Sequence, residues 1–146
     1  MIQTSKLGAS DVKKIIEAAT KKAFEIGVPT NIAVVDEAGL LLGFMRMDGA
    51  LAGCAQIAID KAYTAATLGV RTQDQFKQAQ PGGSEYGVNT LCGGRITIIG
   101  GGVPVKVNGR ILGGIGVCTG TVEEDVITAE AGLNSLRENE TASNSR

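Results

Sequence analysis

Apolar residues recur every three or four positions in three stretches of this chain and run almost unbroken through five shorter ones. Val12, Ile15, Ile16, Ala19, Ala23 and Ile26 follow the period of an amphipathic helix. Ser10 is its expected N-cap, with Asp11 at the positive helix end. Gly27 and Pro29 stop it. Residues 32–35 and 40–47 predict two strands about the turn Glu37-Ala38-Gly39. Ala52, Ala55, Ile59, Ala62 and Ala66 give a second helix, over 52–68, a face of small residues. Thr72 caps a short helix over 73–78. Residues 79–94 read as a loop, and loops of that length in compact domains are usually functional or disordered. Residues 95–99, 103–107 and 111–118 predict three more strands, with Asn108-Gly109 as a two-residue hairpin signal. Thr121-x-x-Glu124 matches a capping box. It opens a last helix with Val122, Val126, Ala129, Leu133 and Leu136 on its apolar face.

Two hairpins separated by helical sequence describe an α+β domain with a five-stranded antiparallel sheet flanked by helices. Parallel neighbours would need crossovers of a dozen or more residues. One domain is expected over 1–138, with a polar, disordered tail at 139–146.

The chain has 146 residues and a net charge of −1. Nothing suggests the clustered basic face that nucleic acid requires. No apolar run reaches the roughly 18 residues of a membrane span. The polar start at 1–6 leads directly into a helical pattern, so a secretory signal is not expected. Three cysteines, Cys54, Cys92 and Cys118, form no C-x-x-C pair, and a reducing cytoplasm is the expected home. No metal site is expected.

Glycine is abundant, at 21 residues, and is concentrated beside or within the strands. Histidine is absent. That excludes Ser-His-Asp and Cys-His catalysis, imidazole zinc sites and histidine-ligated haem within one chain.

Several segments together resemble a known family. They are I-A-V-V-D-x-x-G (32–39), R-M-D-G-A (46–50), I-A-x-x-K-A-Y-T-A-A (57–66), G-G-x-P-V (101–105), G-G-I-G-V (113–117) and E-x-D (123–125). They cover nearly the whole chain, which is similar to the GlcG/HbpS-like family. That family includes the C-terminal domain of PduO-type proteins and short stand-alone members encoded near glycerol or diol dehydratase genes. The resemblance implies a profilin-like fold, homo-oligomers from dimer to octamer, and haem or a corrinoid-related role in some members. The histidine that coordinates haem in some relatives has no counterpart here, so haem is expected to bind weakly and without an imidazole ligand.

Arg46, Asp48, Lys61, Gly101, Gly102 and Pro104 are the candidate ligand-binding residues. Arg46 can hold a carboxylate or phosphate through two parallel hydrogen bonds, or it can pair with Asp48 as a strand-end brace. Lys61 can contact an anion, or snorkel at the edge of a small-residue helix. Asp36 suits a hairpin turn, and Thr64 can bond back to its own helix. Gly113-Gly114-x-Gly116 lies inside a strand, where it admits a neighbouring backbone more readily than a dinucleotide. Thr119-Gly120-Thr121 precedes a helix and is expected to be capped by its own acids. Cys118 reads as a small buried hydrophobe, and Met45 and Met47 as core or interface residues facing away from Arg46.

The expected function is a non-catalytic cytoplasmic protein that binds a small anionic molecule or a tetrapyrrole. Its pocket is expected beside the 79–94 loop or at a subunit interface. The alternative is an enzyme acting on a small hydroxy acid, aldehyde or tetrapyrrole through carboxylate and Lys61 acid–base chemistry. A third reading is an accessory to a larger cofactor-dependent complex.

Overall fold

Strand β1 (Asn31–Asp36) is apolar on both faces because helices cover it from both sides. The computed structural model describes residues 5–143, and residues 1–4 and 144–146 lie outside it. The elements run α1 (Ala9–Ile26), β1, β2 (Leu41–Arg46), α2 (Cys54–Leu68), α3 (Thr72–Gln78), β3 (Gly102–Val107), β4 (Arg110–Cys118) and α4 (Val122–Ser143). All strand pairs are antiparallel, in the order β2-β1-β4-β3. Ile32 and Val34 point toward α1 and α4, into a core with Ile15, Ile115, Val117 and Ala129. Ala33 and Val35 point the other way, onto the alanines of α2. No described helix is long and apolar enough to cross a membrane.

The sheet has four strands among the described residues, not the five expected. Residues 95–99 are apolar enough for a strand but join no ladder. A side chain takes their backbone groups instead. Thr64 Oγ1 accepts from Thr97 N at 2.9 Å and lies 3.1 Å from Arg95 O, which holds the segment against α2. Thr64 also donates back to Asp60 O at 2.8 Å, as a mid-helix threonine can.

The helix ends differ in detail from expectation. Helix α1 starts at Ala9, ahead of Ser10, because Asp11 reaches back to accept from Gly8 N at 2.8 Å. Helix α2 starts at Cys54 rather than at 52. The 79–94 segment contains two single turns of 3-10 helix, Val88–Thr90 and Cys92–Gly94. Helix α4 runs to Ser143, and the end of the tail expected over 139–146 lies outside the described residues. Its capping box forms, with Glu124 N donating to Thr121 Oγ1 at 3.2 Å. Asp36 makes the turn after β1, accepting from Ala38 N and Leu40 N at 2.9 Å each.

The glycines of β4 fix how low α2 sits. A Cβ on Gly114 would fall 2.3 Å from Ala62 O, and one on Gly116 would fall 1.9 Å from Ala58 O. Helix and strand therefore touch backbone to backbone. Gly116→Ala should destabilise the fold by about 3 kcal/mol, the upper end for an overpacked core. Gly53→Ala, with nothing within 4 Å of the new Cβ, should change stability by less than about 1 kcal/mol. Urea denaturation of both variants checks this, and equal midpoints would contradict the close contact.

Candidate functional site

The close seating of α2 brings Lys61 to the end of β4. Its Nζ donates to Val117 O at 2.8 Å and to Asp125 Oδ2 at 3.0 Å. Asp125 lies in the first turn of α4, and its other oxygen accepts from Gly120 N at 3.0 Å. The two side chains are 1% and 4% exposed, so this is a buried ion pair and not a snorkelling lysine. Burial pushes the Asp125 carboxyl above the usual carboxylate range, and the Lys61 ammonium and the amides of Gly120 and Thr119 oppose that push. The acids after Thr121 thus serve the local fold, as the self-capping reading expects.

Gly101 and Gly102 belong to the same place. A Cβ on Gly101 would meet Lys61 Nζ at 2.9 Å and Val117 O at 2.6 Å. Gly102 N donates to Thr72 Oγ1 at 2.8 Å, and its own Cβ would meet Lys61 O at 2.5 Å. Thr72 spends its hydroxyl on β3 rather than on capping α3. Pro104 follows on β3, opposite Gly114. Around Lys61 the packing leaves no space for even a methyl group.

Arg46 and Asp48 lie elsewhere. They close a cleft of about 430 Å³ between the C-terminal half of α1 and the end of β2. Thr20, Ala23, Phe24, Val28, Pro29, Met45 and Met47 form its walls. The cleft exists because α1 ends at Gly27 in a left-handed turn and β2 is an edge strand with no neighbour on that side. A second cleft of about 520 Å³ adjoins it through Met45, lined by Val12, Ile16, Leu42 and Phe44 with Lys13 and Glu17 at its rim. Among the described residues, the Arg46 guanidinium makes no ion pair or hydrogen bond, so the expected brace to Asp48 does not form. Thr20 Oγ1 is buried in the cleft wall without a hydrogen-bond partner. Met45, Arg46 and Met47 all reach the cleft, because the strand ends there and its two faces are no longer separated.

The six candidate residues therefore fall in two regions. Lys61, Gly101 and Gly102 gather at the buried pair with Pro104 along the same strand, and Arg46 and Asp48 gather at the cleft. Sequence reasoning did not connect Lys61 with Asp125, or Arg46 with the α1 wall of Thr20 and Phe24. The only local signal for the first was a lysine on an otherwise small helix face.

The family model described as "Haem degrading protein HbpS-like" matches residues 7–134. The chain is 40% identical over 136 residues to an uncharacterized 15.0 kDa protein from the dhaT-dhaS intergenic region of Citrobacter freundii. That match covers 93% of this chain and 96% of the relative. The crystal structure of Klebsiella pneumoniae protein ORFY superposes with a TM-score of 0.91 at 35% identity, covering 94% of each chain. A crystal structure of a PduOC:heme complex superposes with a TM-score of 0.87 at 29% identity, covering 90% of this chain and 95% of the other. The chain belongs to the HbpS-like family.

Lys61→Met should cost about 3–5 kcal/mol, because Asp125 would be left as an unpaired buried charge. Lys61→Met combined with Asp125→Leu should cost clearly less than Lys61→Met alone, since burying neither ion avoids the penalty. Urea midpoints of the single and double variants decide this. A double variant less stable than either single one would contradict it.

Proposed function

We propose that this HbpS-like protein binds a small, largely apolar molecule carrying a carboxylate in the cleft between α1 and β2. It works in the cytoplasm as a homo-oligomer and binds without turnover. The observation that carries this reading is the unpaired Arg46 guanidinium at the mouth of an apolar cleft. A planar guanidinium can give a carboxylate two parallel hydrogen bonds. Phe24, Met45 and Met47 offer apolar contact surface beside it. The acid–base alternative has no comparable support, because Lys61 is buried and fully occupied.

A tetrapyrrole is one candidate, since one relative is described as a heme complex. Histidine-ligated haem does not fit this chain, which contains no histidine. The donors in the cleft are the thioethers of Met45 and Met47. A tetrapyrrole would be held here by apolar contact and by a propionate on Arg46. The gene position of the Citrobacter relative supports an accessory role in glycerol, diol or cofactor metabolism. Oligomerisation is supported by the apolar surface around the open edge of β2, where Phe24, Leu40, Leu41 and Leu42 are exposed. Apolar patches beyond a few hundred Å² usually mark interfaces.

Haemin and a panel of small carboxylates, titrated into untagged protein, test the cleft. Wild type should gain thermal stability with at least one of them, and Arg46→Lys should lose most of that gain, because a point charge cannot replace the fork. With haemin, no low-spin bis-imidazole Soret spectrum should develop. Equal shifts in both proteins would remove Arg46 from the site. Separately, light scattering at micromolar concentration should give a multiple of the 15.0 kDa chain mass. A monomer mass would overturn the oligomer.

A further inference from the structure

We propose that Cys54 and Cys118 form an oxidisable dithiol that closes to an intramolecular disulfide, a redox site separate from the cleft. Helix α2 runs down β4 in antiparallel steps, four helical residues to two strand residues. Ala62 O stands against Gly114, and Ala58 O against Gly116. The next step pairs Cys54 with Cys118. Four helical residues rise about 6 Å and two strand residues about 6.7 Å, so the match persists over this span.

The side chains agree with that count. Cys54 packs against the buried cluster that contains Cys118, and its thiol lies close enough to help raise the Cys118 pKa. One buried side chain holds the backbone on both sides. Asn31 Nδ2 donates to Leu51 O at 2.9 Å and to Cys118 O at 3.2 Å. Leu51 O also accepts from Cys54 N at 3.1 Å. The start of α2 and the end of β4 are thus tied into one junction. The third cysteine stands apart: Cys92 is exposed and lies beside Tyr63, whose pKa it raises.

The two thiols differ in a way that orders the chemistry. Cys54 is half-buried and is the first residue of α2, so a peroxide reaches it before the buried Cys118. Cys118 is buried, and burial first, then the neighbouring Cys54 thiol, pushes its thiol up to about 12. A hydroperoxide supplies the oxidising equivalents. The Cys54 sulfur attacks the peroxide oxygen and the O–O bond breaks. This leaves Cys54 as a sulfenic acid and releases water, or an alcohol from an organic hydroperoxide. The Cys118 sulfur then attacks the Cys54 sulfur, the S–O bond breaks, and the hydroxyl leaves as water with the Cys118 proton. Two thiols and one hydroperoxide give one disulfide and two small products.

The test uses the full chain with Cys92→Ser, so that only these two thiols remain. The protein is treated with hydrogen peroxide, denatured, alkylated and weighed. The expected result is a loss of two hydrogens, no alkylation, one proteolytic peptide pair joining Cys54 to Cys118, and full recovery of both thiols with dithiothreitol. The melting temperature should rise on oxidation and return on reduction. Cys54 over-oxidised beside an alkylatable Cys118, or Cys54 cross-linked between two chains, would overturn the proposal. So would a melting temperature that is unchanged or lower in a disulfide-closed protein. In Cys54→Ala with Cys92→Ser, a variant that leaves the buried strand residue in place, Cys118 should remain alkylatable after peroxide. Its oxidation there would show that it reacts without Cys54 and would also overturn the proposal.

Discussion

The backbone contact between α2 and the glycines of β4 is the constraint from which the other features follow. With side chains at Gly114 and Gly116, the helix would have to stand off the sheet. Seated this low, α2 carries Lys61 far enough across the end of β4 to reach both Val117 O and Asp125. It also lays its alanines on Ala33 and Val35, which is why β1 needs small or branched apolar residues on that face. Alanine is the side chain that makes the contact possible. A helix with leucine at 58 and 62 could not approach so closely.

The Lys61–Asp125 pair has to be weighed against its own cost. Removing two ions from water is expensive, and a well-packed apolar pair in their place is often neutral or stabilising. The pair is therefore poor evidence for stability. Its clearer effect is geometric. Asp125 binds Lys61 through one oxygen and Gly120 N through the other, so the ammonium fixes where α4 begins relative to α2. Gly101 must lack a side chain because its Cβ would occupy the space of the ammonium. The glycines around 101 and the lysine of α2 form one feature, although 40 residues separate them in the chain.

Helix positions were legible in the sequence wherever a period persisted, as in the Val12, Ile15 and Ala19 face of α1. The hairpins were legible from their turns, and the backbone approach at Gly113-Gly114-x-Gly116 from glycines set inside a strand. The fifth strand was misread because 95–99 has strand-like composition, and the partner that claims its backbone is the hydroxyl of Thr64, on another element. Ser10 was a sound local choice for a cap, but the Asp11 carboxylate reaches Gly8 N and moves the helix start. Lys61 looked like an edge residue because its neutralising partner lies 64 positions away. Such pairings are set by tertiary packing, and no local pattern records them.

The same reasoning indicates where a ligand can be accommodated. The α2 side of the sheet is closed down to backbone contact, and the candidate residues there are consumed by structure. On the α1 side, Gly43 lets Val12 and Ile16 approach the middle of β2, while Phe24, Pro29, Met45 and Met47 stand between the later part of α1 and the strand end. Clefts therefore lie along both parts of this interface, and among the described residues the one at the strand end has an unpaired guanidinium at its mouth. Without histidine, recognition of the proposed ligand there would depend on contact area and on one directional anchor, Arg46. Contact area alone discriminates poorly among apolar molecules, since a methylene is worth only about 0.8 kcal/mol. For the proposed carboxylate ligand, selectivity would rest on the orientation of Arg46, which is itself the last residue of the edge strand β2.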